Sequence, residues 1–217
     1  MSLIMSIETY EGIVMTADRL SIISYYNENT KTTDAFPKTY NAHKLFIMKN
    51  GYGLSNCGNA KISNKYLSEQ FISEEICTKD FGNKLPIDVA TYILDVFSGH
   101  KVETILLFCG YYNNKSFTIE INCTKNELYN YPDSSREKVV RYGDTSIVDA
   151  LLNKKFYYGY STYRLQDAVN FLKYINEVTA KLQQFQETLQ TISEECDILV
   201  LFKNGKHLWL NKNELHI

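Results

Sequence analysis

Short apolar runs cut by turn formers fill the first 58 residues, and the spacing changes after that. "LIMSIETYEGIVMTAD" reads as two strands joined at Tyr10-Glu11-Gly12, a hairpin with glycine at its turn. "YYNENTKTTDAFPKTYN" is polar and rich in turn formers, which predicts a loop or a weak hairpin. "KLFIMKNGYGLSNCG" places two apolar runs around Asn50-Gly51, a strong hairpin signal. From Asn59 to Ile76 the period becomes helical, with Ile62, Tyr66, Leu67, Phe71 and Ile72 near one face. "LPIDVATYILDVFSG" predicts a second helix, with Pro86 in its first turn and Gly99 beyond its last.

Strand patterns return in "ETILLFCGYY", "KSFTIEIN", "NELYNYP" and "KVVRYGD", rich in β-branched and aromatic residues. A short helix, "TSIVDALLN", follows. A long helical stripe then runs from Arg164 to about Glu194 through Leu165, Ala168, Leu172, Ile175, Val178, Leu182, Phe185, Leu189 and Ile192. "DILVLFKNGKHLWL" closes the chain as a hairpin around Asn204-Gly205. Strands and helices come in blocks instead of alternating, which excludes a doubly wound parallel fold. The order predicts an α+β chain of antiparallel sheets with helices laid outside them.

Composition narrows the function. The 217 residues, with 44% hydrophobic and three prolines, read as one domain over 1–217 with a sizeable core. A net charge of −2 gives no electrostatic argument for a nucleic acid or a membrane surface. No apolar run reaches the ~18 residues of a spanning helix. The N-terminus lacks the basic and apolar regions of a secretory signal. The five cysteines, odd in number and without CxxC spacing, suit reduced, mostly buried thiols and predict a cytoplasmic protein. His43, His100, His207 and His216 show no ligand spacing, so neither a metal nor a cofactor is expected. Cys57 reads either as a reactive thiol at a helix start or as a buried small hydrophobe. The 17 tyrosines, several in "KKFYYGYSTYR", suggest half-buried strand residues with a minority at an interface, and so a homo-oligomer.

One pairing stands out: Asp18-Arg19, an acid and a base where a buried strand stops. "MSLIMSIETYEGIVMTADR", then "HKLF", then "GLSNCGNA" resembles the N-terminal part of proteasome β-type subunits and a related bacterial peptidase. These are N-terminal-nucleophile (Ntn) hydrolases. The resemblance implies a four-layer αββα sandwich, two antiparallel sheets between helical layers. It also implies a site. The family's Asp corresponds to Asp18, the glycine leading its strand to Gly12, the Lys to Lys44 after a segment about ten residues longer than usual, and the oxyanion-hole Gly to Gly58. Counting back from Asp18, the nucleophile position is Ser2. Of the family's Ser-Gly-Gly, only Ser193 is kept, in "SEEC". The Ser-Gly-Ser after the middle strands is replaced by "RYGDTS", which leaves Asp144 or Thr145, and a substrate-binding Thr is replaced by Ile22.

The chemistry at these positions is coherent. A terminal hydroxyl becomes a nucleophile when a base takes its proton, and a free α-amine with a pKa near 8 serves. A lysine ammonium lowers the pKa of its neighbours, and an Asp holds it charged and oriented. A backbone N–H at a helix start, expected at Gly58, stabilises an oxyanion. Ser2 gains a free amine only when Met1 is gone. Two functions follow from the resemblance: a peptidase or amidase acting on a peptide or small amide, or a non-catalytic relative used as an assembly or binding module.

Overall fold

The computed structural model describes residues 2–28, 31–62, 66–132, 139–153 and 159–212. Among them, β1 (Leu3–Glu8) and β2 (Gly12–Asp18) form the expected antiparallel hairpin, in register from Ile4 opposite Ala17 to Glu8 opposite Ile13. Thr9 closes the turn. Its N–H donates to the Gly12 carbonyl at 2.8 Å, and its hydroxyl accepts the N–H groups of Glu11 and Gly12. A Cβ at Gly12 would lie 2.6 Å from the Leu201 carbonyl, so only glycine fits there.

This hairpin is the centre of a five-stranded sheet. β2 pairs with β11 (Cys196–Phe202), which pairs with β12 (His207–Asn211), and β1 pairs with β10 (Val140–Gly143). A second five-stranded sheet runs β5 (Leu45–Ile47), β6 (Gly53–Gly58), β7 (Thr104–Tyr112), β8 (Lys115–Asn122) and β9 (Glu127–Asn130). Every pairing in both sheets is antiparallel.

Alternation along β1 and β2 divides the core. Ile4, Ile13, Met15 and Ala17 face the second sheet, meeting Leu45, Cys57, Leu107 and Cys109. Leu3, Met5, Ile7 and Val14 face α4 (Leu165–Gln183), through Ala168, Leu172 and Ile175. On the far face of the second sheet, α2 (Pro86–Ser98) and a helical segment from Ser68 to Cys77 bury Val89, Ile93, Phe97, Phe71 and Ile72. The layers are therefore helix, sheet, sheet, helix: the αββα sandwich. Because β1 and β2 are covered on both faces, they are buried almost throughout, and their sequences read as near-continuous apolar runs.

Two local expectations are corrected. Residues 59–62, 66 and 67 are not helical. Lys61 and Leu67 form an isolated bridge, and the α turn (Ser68–Phe71) starts only at Ser68 before widening into a π turn (Ile72–Cys77). The apolar spacing of Ile62, Tyr66 and Leu67 imitates a helical face, although none of the three is helical. Of the loop or weak hairpin expected over Tyr25–Asn41, the structure has the hairpin, which begins earlier: β3 (Ser21–Asn27) pairs with β4 (Thr32–Thr39), standing apart as its own two-stranded sheet with Tyr25, Tyr26 and Phe36 exposed. The α4 helix stops at Gln183, not near Glu194, because its end is hydrogen-bonded to the returning chain. Asn176 Nδ2 donates to the carbonyls of Ser193 and Glu194, and Gln183 Oε1 accepts the N–H groups of Thr191 and Ile192. Phe185, the next residue of the predicted stripe, is left in solvent. In the tyrosine-rich stretch, Tyr160 and Tyr163 pack against Phe171 of α4. Residues 154–158 and His216 lie outside the described residues.

Candidate active site

The site forms where β2 of one sheet ends and β5 of the other begins. Asp18 is the last residue of β2, opposite Cys196 of β11, and is 1% exposed. Its Oδ1 accepts the Leu3 N–H at 2.8 Å and the Lys44 ammonium at 2.8 Å. Its Oδ2 accepts the N–H of Leu20 at 2.9 Å and of Ser193 at 3.4 Å. Lys44 is 7% exposed and also donates to the Leu20 carbonyl. Its backbone is held in the second sheet, since its carbonyl accepts the Asn56 N–H. A buried carboxylate and a buried ammonium each offset the other's desolvation here, and backbone donors fill the remaining lone pairs of Asp18.

Arg19 turns the other way. Its Nε donates to Asp197 at 2.8 Å and its Nη1 to Glu195 at 2.8 Å, while its backbone N–H donates to the Ser193 hydroxyl at 2.7 Å. The Ser193 hydroxyl donates in turn to the Glu195 carbonyl at 2.7 Å. The acid–base doublet at the strand end therefore serves two buried networks, one across the sheets and one within the first sheet.

Ser2 lies directly before this cluster and is 4% exposed. The peptide unit between Ser2 and Leu3 is held at both ends. Its N–H goes to Asp18, and its carbonyl accepts the Asp144 N–H at 2.8 Å. Gly143, at φ +105°, lets that carbonyl approach, since a Cβ there would sit 1.8 Å from the Ser2 oxygen.

Gly58 ends strand β6 instead of opening a helix, which removes the helix-start part of the oxyanion argument. Its φ of +136° and its closeness to Glu103 and Thr104 demand glycine. Its neighbour Cys57 packs in one cluster with Ala17 and Leu45, the residues next to Asp18 and Lys44, so this strand end flanks the site. Burial pushes the Cys57 thiol up to about 12, which fits a small hydrophobe and not a reactive nucleophile. Ile22 is the second residue of β3. A half-open cavity of about 390 Å³ lies beside Lys44's neighbour His43, with Phe46, Glu69, Glu74 and Trp209 among its walls.

The structure thus brings Asp18, Lys44 and Ser193 together by direct hydrogen bonds, with Ser2 one residue from the cluster and Gly58 beside it. Sequence reasoning missed Gln183, Thr191 and Asn176, which lie far along the chain and carry no motif.

No protein-family model matches the chain, and no curated protein matches its sequence. Solved structures do match in shape. Anbu from Hyphomicrobium sp. strain MC1 superposes with a TM-score of 0.65 at 12% identity, over 96% of this chain and 87% of that one. The Gly-1 mutant of the same protein gives 0.63 at 13% identity, over 96% and 85%. At such identity the likeness concerns the fold. The fold is a proteasome-like, Ntn-type αββα sandwich. Among the described residues, no helix is long and apolar enough to cross a membrane.

Proposed function

We propose that the chain is an amide-bond hydrolase of the Ntn type, a peptidase or amidase, with Ser2 as its nucleophile. One observation carries this reading: a single oxygen, Asp18 Oδ1, accepts both the Leu3 N–H and the Lys44 ammonium, each at 2.8 Å. The backbone beside Ser2 and a buried cation are thereby fixed within twice that distance of each other.

Once Met1 is removed, the α-amine of Ser2 takes the hydroxyl proton as the oxygen attacks the substrate carbonyl. Lys44, kept charged by Asp18, lowers the pKa of the groups beside it. In this reading the Gly58 N–H, which the resemblance assigns to the oxyanion hole, is the donor to the developing oxyanion. The amine then passes its proton to the leaving nitrogen, and water cleaves the ester left on Ser2. The substrate is a peptide or small amide, and the exposed aromatics of the β3–β4 hairpin make self-association the expected assembly.

The burial of Ser2 favours a second reading, in which the sandwich is a non-catalytic assembly or binding module. Intact mass of the natively expressed protein, followed by hydrolysis of an activated amide, separates the two. The first reading expects a chain beginning at Ser2, and activity lost in both Ser2→Ala and Lys44→Ala. A chain that retains Met1 and leaves the amide intact would establish the second.

A further inference from the structure

Both ends of the Ser2–Leu3 peptide are tied, one by Asp18 of the motif and the other by Asp144, which the motif leaves only as a loose equivalent. Asp18 holds the N–H. The carbonyl is held by the backbone of Asp144, in the corner after β10, and something must fix that corner.

Gln183 does so. It is the last residue of α4 and is 4% exposed. Its Nε2 donates to Asp144 Oδ2 at 3.0 Å and to the Thr191 hydroxyl at 2.8 Å. Its Oε1 accepts the N–H groups of Thr191 at 3.0 Å and Ile192 at 3.1 Å. The Thr191 hydroxyl, itself buried, donates to the same Asp144 Oδ2 at 2.7 Å. The other carboxylate oxygen of Asp144 meets the Ser146 hydroxyl at 3.2 Å. One amide side chain thus joins the end of α4, the returning loop and the Gly143–Asp144 corner that grips Ser2.

We propose that Gln183 is a positioning residue for Ser2, acting through the Asp144 carboxylate; its catalytic meaning rests on the hydrolase reading above. A glutamine suits the position because it donates on one side and accepts on the other. A plain helix-end role would need only the acceptor side, which holds the loop.

The two sides can be separated. Gln183→Glu keeps an acceptor for Thr191 and Ile192 but turns a second oxygen toward Asp144, replacing a hydrogen bond by like-charge repulsion. Adding Asp144→Asn reverses donor and acceptor and restores the bond. Hydrogen exchange of the residue-144 amide, read by NMR, reports the tie to the Ser2 carbonyl without any need for activity. The expected result is exchange about tenfold faster in Gln183→Glu, as for loss of one hydrogen bond, and recovery in the double variant. Exchange unchanged in Gln183→Glu, or not recovered in the double variant, would overturn the positioning role.

Hydrolysis of the activated amide is measured on the same proteins. The hydrolase reading expects kcat to fall and return with the exchange rate while KM stays nearly constant. Wild-type protein without activity would remove that reading, while the exchange data would still decide whether Gln183 positions Ser2.

Discussion

The carboxylate of Asp18 and the ammonium of Lys44 meet at 2.8 Å across the two sheets, one at the end of β2 and the other at the threshold of β5. The contact fastens sheet to sheet at the point where the chain enters β1. It sets the first prediction. Lys44→Ala leaves Asp18 buried without its cation and should cost about 3–5 kcal/mol in urea unfolding. Pairing Lys44→Met with Asp18→Leu should not recover that loss, because the buried N–H groups of Leu3, Leu20 and Ser193 would then lose their acceptor. Hydrolysis should stay abolished in both proteins if the site is catalytic. Activity that survives Lys44→Ala would make the pair structural only.

Arg19 has a separate duty, and its loss should be felt in the first sheet. Arg19→Met takes the guanidinium from Asp197, which is 1% exposed, and should lower stability by about 3 kcal/mol. Glu195→Gln removes only the solvent-facing partner, whose side chain is 75% exposed, and should change stability by less than about 1 kcal/mol. Comparable losses from both substitutions would contradict this division.

Gly58→Ala should destabilise the end of β6. The new methyl would meet the Glu103 carbonyl at 2.2 Å in a backbone at φ +136°. Strain alone should cost about 1–3 kcal/mol. Thermal unfolding reads this directly, and a Tm equal to wild type would show that the strand end relaxes freely.

Stability should fall in alkaline solution through the thiols. Burial pushes Cys57, Cys77, Cys109, Cys123 and Cys196 from an ordinary value of 9.0 up to about 12. Between these values the unfolded chain has released protons that the folded chain still holds, so the unfolded state gains. Their contribution is present below pH 9 and is lost as pH rises toward 12. Urea midpoints at pH 7.5 and pH 10 should differ in that sense, and replacing Cys109 and Cys196 by Ala should reduce the difference. Iodoacetamide should label these thiols slowly in the folded protein at pH 8 and rapidly in urea. Fast labelling of Cys109 in the native state would contradict the buried assignment.

Local chemistry was legible where one residue type decides a conformation. Glycines at 51 and 205 adopt φ +81° and +77° in the hairpin turns that Asn-Gly predicts. Pro86 opens α2, as its fixed φ and missing donor allow. Reading failed where apolar spacing was ambiguous. Ile62, Tyr66 and Leu67 imitate a helical face although none of the three is helical, and Phe185, Leu189 and Ile192 continue a stripe that the chain abandons at Gln183. Hydrogen bonds from Gln183 and Asn176 to the returning loop end that helix, and no local pattern encodes a partner eight or more residues away.

The sequence by itself determined the turns, most of the elements, their blockwise order and hence antiparallel layers. A site at Ser2, Asp18, Lys44, Gly58 and Ser193 was legible only through the resemblance of short stretches to proteasome β-type subunits, and not from composition or spacing. Only the tertiary structure decided which of them touch. Asp18 could have paired with its neighbour Arg19; it reaches Lys44 instead because the sandwich brings the start of β5 over the end of β2, while β11 draws Arg19 toward Asp197. Gln183 and Asp144 join the site for the same reason. They are 39 residues apart and meet because α4 packs on the sheet that contains β1, a contact set by buried area and not by any signal between them.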